Sequence, residues 1–208
     1  MSRGRLITIE GVDGSGKTTL ATGLADALRA HGIEVRALRE PGGVPLAERI
    51  RQLVHDPALN IDPRTEALLF AAARAQLVVE ALEPALRAGT WVVLDRFVDS
   101  SLAYQGRGRS LGLEAIAEIN RFATGGLTPD RTLLLKVRPQ LGRARARARQ
   151  NTIDRLEQEH DEFFQAVGAA YEELAASHPE RIRVIDATEP PERVLEAALS
   201  QISDLLPS

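Results

Sequence analysis

The sequence predicts a three-layer α/β sandwich, a five-stranded parallel sheet flanked by helices, on two observations. Short apolar runs at 6–9, 35–38, 91–94, 132–137 and 182–185 alternate with helical patterns, and near-continuous apolar strands are the mark of a parallel sheet covered on both faces. The first run passes directly into Gly11-Val12-Asp13-Gly14-Ser15-Gly16-Lys17-Thr18. That segment fits G-x-x-x-x-G-K-[ST], and a helical pattern with Leu20, Leu24 and Leu28 at four-residue steps follows it. Strand, glycine-rich loop and helix in this order make a phosphate loop, so the sheet is expected to be that of a P-loop NTPase.

Each element carries its own signal. In the loop, glycines let backbone N–H groups converge on phosphate oxygens, Lys17 reaches the outer phosphates, and the Thr18 hydroxyl suits Mg²⁺. The helix that starts at Lys17 adds favourable partial charge at the same point. Gly11, Val12, Asp13, Gly14, Ser15, Gly16, Lys17, Thr18 and Thr19 are therefore the expected ATP contacts. Gly32 is placed to end the first helix, Pro63 to start another and Pro191 to open the last, where Val194, Leu195, Ala198, Leu199 and Ile202 form one stripe. Residues 66–82 are apolar almost all round, broken mainly by Arg74, Gln76 and Glu80. Such a helix must be buried on every side, either centrally in the core or between this chain and a second subunit. After the third apolar run comes Asp95-Arg96-Phe97. An acid at the carboxyl end of a buried strand in a nucleotide-binding sheet sits where Mg²⁺ or its waters belong, which makes Thr18 and Asp95 the expected metal residues and turns Arg96 toward the same crevice.

Composition narrows the classes. The 208 residues are 44% hydrophobic and 26% charged with a net charge of -3, ordinary for a globular protein and without the basic field that nucleic acid would attract. There is no cysteine, hence no disulfide or thiolate metal site, which suits a reducing cytoplasm. No signal peptide and no membrane span is read, and no linker or repeat divides residues 1–208, so one domain is expected. His31, His55, His160 and His178 fall in loops or on polar faces and receive no role.

Three further segments concern an acceptor. Arg39-Glu40-Pro41-Gly42-Gly43 follows the second strand, Phe70 and Arg74 stand four residues apart on one helix face, and Asp99-Ser100-Ser101-Leu102-Ala103-Tyr104-Gln105-Gly106-Arg107-Gly108-Arg109 follows Asp95-Arg96. An aromatic face beside a fixed donor fork is how a protein holds a planar base. Taken together, these segments resemble the bacterial thymidylate kinases, P-loop nucleoside monophosphate kinases that phosphorylate dTMP with ATP. The resemblance runs from about Leu6 to Leu206. It implies that Phe70 stacks on thymine, Arg74 reads its O4 edge, and Ser101 and Gln105 lie near N3, with Ser100 in the same site. It implies that Arg51 and Arg96 hold the dTMP phosphate, that Asp13 and Glu40 stand near the sugar, and that Tyr104 closes the space of a ribose 2′-OH. Mg²⁺, a homodimer and a cytoplasmic location follow from the same resemblance.

A third cluster, Arg143-Ala144-Arg145-Ala146-Arg147-Ala148-Arg149, follows the fourth apolar run. At about 100° per helical residue, Arg143 and Arg147 share one face while Arg145 and Arg149 point roughly opposite. By the resemblance this is a small lid, at about 143–157. Because position 14 is glycine rather than arginine, the lid is expected to supply the catalytic arginine, with Arg149 and Arg155 ahead of Arg145. The expected catalytic set is Lys17, Asp95, Arg96, Arg149 and Arg155. Two other readings stand beside it: a different small-molecule kinase on the same scaffold, and a nucleic-acid ATPase whose arginines grip phosphodiesters and whose binding would weaken steeply with salt.

Overall fold

A computed structural model describes residues 3–147, 155, 156 and 158–207. Five parallel strands, β1 (Leu6–Glu10), β2 (Val35–Arg39), β3 (Trp91–Asp95), β4 (Arg131–Lys136) and β5 (Ile182–Asp186), lie in the order β2-β3-β1-β4-β5. β1 is central, with Ile9 beside Asp95 of β3 on one flank and beside Leu133 of β4 on the other. This register brings the end of β1, where the phosphate loop starts, level with the end of β3. Four strands run one residue beyond the expected apolar runs, into Glu10, Arg39, Asp95 and Asp186, because a polar residue can end a strand without ending its pairing. β4 differs more: it begins at Arg131, and Val137 lies past its end.

Alternation along the strands builds two cores, one on each face. Ile7, Ile9, Trp91 and Val93 pack with Leu20, Leu24 and Leu28 of α1 (Lys17–Ala30), and with residues of α8 (Asp161–Ser177) and α9 (Pro191–Gln201). Leu6, Val92 and Leu94 point the other way, toward α2 (Pro45–His55), α3 (Pro63–Leu77) and α4 (Glu83–Arg87). A period of two along each strand thus gives helix, sheet and helix layers.

Pro63 opens α3 as expected, with the Asp62 carboxylate accepting from Arg64 N. The helix does not end as one α-helix: it passes through a π-helical stretch, Val78–Leu82, into α4. Nor is it buried on every side, since Leu68 is 56% and Val79 66% exposed. The central-core alternative therefore fails for the chain taken alone, and the apolar surplus of this segment faces outward. Past β3 come α5 (Val98–Ser101), a second π-helical stretch (Leu102–Gly108) and α6 (Leu113–Thr124), and past β4 comes α7 (Pro139–Arg147).

Candidate active site

The phosphate loop is held where the sequence places it. Gly11 has φ 141°, and a Cβ there would stand 2.6 Å from Leu135 O, so only glycine fits. Lys17 Nζ donates to Val12 O at 3.0 Å and lies 3.9 Å from Asp13. Burial, with Arg96 close by, brings its ammonium down to about 8. Thr18 Oγ1 donates to Asp95 Oδ2 at 2.7 Å, which joins the two expected metal residues between the first turn of α1 and the end of β3.

Arg96 turns the chain at the end of β3 with φ 71°, and its amide donates to Ile9 O at 2.9 Å. Its guanidinium donates to Gly11 O, Ser100 Oγ, Tyr104 OH and the Asp13 carboxylate, and lies 5.0 Å above the Tyr104 ring. Tyr104 OH donates to Asp13 Oδ2 at 3.1 Å. Desolvation would raise the Asp13 carboxyl, but Arg96 and Lys17 outweigh it and hold it at about 2, so Asp13 is ionised near neutral pH. Behind this turn Glu10, fully buried, accepts from Phe97 N (2.7 Å), Ser100 N (3.2 Å), Ser100 Oγ (2.5 Å) and Tyr171 OH (2.9 Å). Burial, reinforced by the charge of Asp99, pushes Glu10 up to about 7.

Arg74 is 2% exposed. Its Nε donates to Glu40 Oε2 at 2.7 Å, Nη1 to Ser101 Oγ at 2.9 Å and to Asn120 Oδ1, and Nη2 to Phe97 O at 3.0 Å. Four of the five guanidinium hydrogens are so placed, and the fifth is on Nη2. Burial raises the Glu40 carboxyl although Arg74 opposes it. Glu40, expected beside Asp13 at the sugar end, is thus the partner of Arg74. Nearby, Glu66 is wholly buried and accepts from Gln105 Nε2 (2.8 Å), Arg109 Nε (3.2 Å) and Nη2 (3.0 Å), and Arg155 Nη2 (2.6 Å).

Several of these groups meet in one cleft of about 280 Å³. It brings together Asp13, Gly14, Gly16, Lys17 and Thr18 of the loop, Glu40, Arg51, Phe70 and Arg74, and Asp95, Arg96, Ser100, Ser101, Tyr104 and Gln105. A second cleft, of about 560 Å³, lies on the other side of the loop, where Gly14, Ser15, Gly16 and Thr19 meet Arg145 and the chain around Ala187 and Pro191. Gly11 and Val12 instead back onto Leu134–Val137, outside both. Arg155 does not line the first cleft: its guanidinium is taken up by Glu66 and Val54 O, while its neighbour Leu156 forms part of the wall. Arg149 and most of 143–157 lie outside the described residues. Arg39 and Pro41, named only as part of a segment, also stand in the wall, and sequence reasoning missed His55 and Leu156 there and Glu10 and Glu66 behind it. His55, which received no role, ends α2 against the cleft. An acidic residue set between the apolar run and the glycine-rich loop was a readable signal for Glu10; Glu66 had none.

A parallel sheet with a phosphate loop after its central strand, an Asp-Arg turn beside it and an aromatic–guanidinium pair in the same cleft defines a P-loop phosphotransferase with a site for a planar acceptor. The thymidylate kinase family model matches residues 9–198. A thymidylate kinase of Latilactobacillus sakei is 50% identical over 203 residues, 96% of this chain and 95% of its own length. One of Deinococcus radiodurans is 50% identical over 199 residues, 96% of each chain. The crystal structure of thymidylate kinase from Ehrlichia chaffeensis matches with a TM-score of 0.80 at 30% identity, over 95% of this chain and 98% of that one. The chain belongs to the thymidylate kinase family.

Proposed function

We propose that the chain transfers the γ-phosphoryl group of ATP to a phosphate oxygen of dTMP, giving dTDP and ADP, through the residues that meet in the first cleft. The observation that carries this reading is that Lys17 and Arg96, which suit phosphates, share a cleft with Phe70 and Arg74, which suit a pyrimidine. Phe70, half-buried, offers a stacking face, and the remaining Nη2 hydrogen of Arg74 suits the O4 of thymine. Tyr104 is held by Asp13 and Arg96, and this reading sets it against a ribose 2′-OH. The donor's base belongs in the second cleft, since the same loop forms its edge.

The reaction joins two anions. The β–γ bridging P–O bond breaks, the dTMP oxygen bonds to the γ-phosphorus, and the acceptor, ionised at pH 7, needs no general base. Lys17 holds the outer phosphates of ATP, while Arg51 and Arg96 orient the acceptor phosphate in line and offset the charge. Thr18 and Asp95 fit Mg²⁺, their oxygens meeting at 2.7 Å; when bound, it neutralises charge on the β- and γ-phosphates. Arg149, and Arg155 if released from Glu66, are the lid arginines of this reading. The same reading makes residues 1–208 one domain with its lid at about 143–157, a homodimer, and a cytoplasmic enzyme.

Phe70→Ala tests the site. One base stacked on an aromatic is worth about 1–3 kcal/mol, so the KM for dTMP should rise from about fivefold to more than a hundredfold while the KM for ATP stays put. An unchanged KM for dTMP removes Phe70 from the acceptor site.

A further inference from the structure

Gln105 lines the acceptor cleft, and its carboxamide has a donor end and an acceptor end that a ligand would read in opposite senses. Which end faces the cleft is settled behind it. Nε2 donates to Glu66 Oε1 at 2.8 Å, and a carboxylate accepts only. Glu66 is kept in that form: burial would raise its carboxyl, but hydrogen bonds from Arg109, Gln105 and Arg155 bring it below the ordinary value. Reversing the amide would set Gln105 Oε1 against Glu66 Oε1 and leave two buried acceptors facing each other.

We infer that Glu66 is a specificity-positioning residue: by holding the amide of Gln105 it presents Oε1 to the base and so selects pyrimidines that carry a hydrogen on N3. Thymine and uracil have that N3–H. Cytosine has a lone pair at N3, which would meet the Oε1 lone pairs with no proton between them. Arg109 and Arg155 complete the device, since both donate to Glu66 Oε2 at 3.0 and 2.6 Å and neutralise the buried charge. Arg155 also donates from Nε to Val54 O at 3.0 Å, which ties the end of α2 to the start of α3 behind the cleft. The selection rests on the proposed reading that Gln105 meets the base, and its test separates the two.

The full-length protein is assayed with ATP and either dTMP or dCMP, the latter as a competitive inhibitor where its turnover is too slow. Glu66→Gln replaces an acceptor-only partner by one that can also donate, so Gln105 becomes free to reverse. The preference for dTMP over dCMP should narrow about tenfold, the worth of one hydrogen bond, with the KM for ATP unchanged. If Glu66 only supports the fold, both acceptors suffer alike and the ratio stays constant, which overturns the inference. Glu66→Asp serves if Glu66→Gln does not fold: it keeps the charge for both arginines, withdraws the carboxylate by one methylene, and should narrow the ratio in the same direction, a constant ratio again overturning it. Gln105→Leu locates any failure. A ratio that narrows in Gln105→Leu but not in the Glu66 variants overturns the role of Glu66 alone, whereas a Gln105→Leu protein with unchanged dTMP binding overturns the base reading and the inference with it.

Discussion

At Glu10 a carboxyl group sits wholly buried at the end of an apolar strand and accepts two backbone N–H groups and two hydroxyls from the elements that carry Arg96 and Tyr171. Its folded value, about 7 against an ordinary 4.5, has a definite sign for stability. Between those two values the folded protein keeps a proton that the unfolded chain releases, so stability falls as pH rises through this window. Glu10→Gln can accept the same backbone N–H groups through Oε1 and cannot titrate. Urea unfolding of both proteins at pH 5 and pH 8 should therefore show the variant gaining about 1–3 kcal/mol relative to the parent across that range; parallel stabilities would deny Glu10 its raised value. Residues of this kind explain what was hard to read. Phe70, Arg74, Asp95 and Arg96 lie within short motifs, whereas Glu66 and Arg155 meet across 89 positions of chain, and no local pattern pairs them.

Among the elements, α7 seats closely on the phosphate loop. A Cβ at Gly142 would lie 2.6 Å from Asp13 O and 3.1 Å from Val12 Cγ2, whereas one at Gly23 in α1 would come no nearer than 3.5 Å to Leu195. Alanine improves helix propensity by about 1 kcal/mol at either site, but overpacking against a backbone carbonyl costs about 1–3 kcal/mol unless α7 moves. Gly142→Ala should accordingly raise the KM for ATP severalfold with a smaller effect on dTMP, while Gly23→Ala raises the melting temperature or leaves it unchanged. Equal behaviour of the two variants would show that α7 does not set the loop. The strands were legible because β1 and β3 are buried on both faces and so read as unbroken apolar runs. The π-helical stretches were not, since a single extra residue per turn leaves the helical periodicity of Val78–Leu82 and Leu102–Gly108 almost intact.

For the whole molecule, the most exposed large apolar side chains among the described residues are Leu68 and Val79, on α3 and its π-helical continuation, and Phe122 on α6, which is 91% exposed. α3 and α6 pack together, and a second copy of this chain is the occupant that the proposed homodimer supplies. Sedimentation equilibrium should return twice the 22.6 kDa of one chain, and Phe122→Lys with Val79→Lys should shift it toward one; a monomeric parent would contradict the dimer. No helix among the described residues is long and apolar enough to cross a membrane. The central claim is that a single cleft joins phosphoryl transfer to recognition of a deoxyribosyl thymine, and an acceptor panel tests it most directly. In a coupled assay with ATP and each of dTMP, dUMP, UMP, CMP, AMP and thymidine, dTMP should give the highest kcat/KM, UMP a much lower one because Tyr104 opposes its 2′-OH, and thymidine almost none because Arg51 and Arg96 lack a phosphate to hold. Equal kcat/KM for UMP and dTMP would contradict the account.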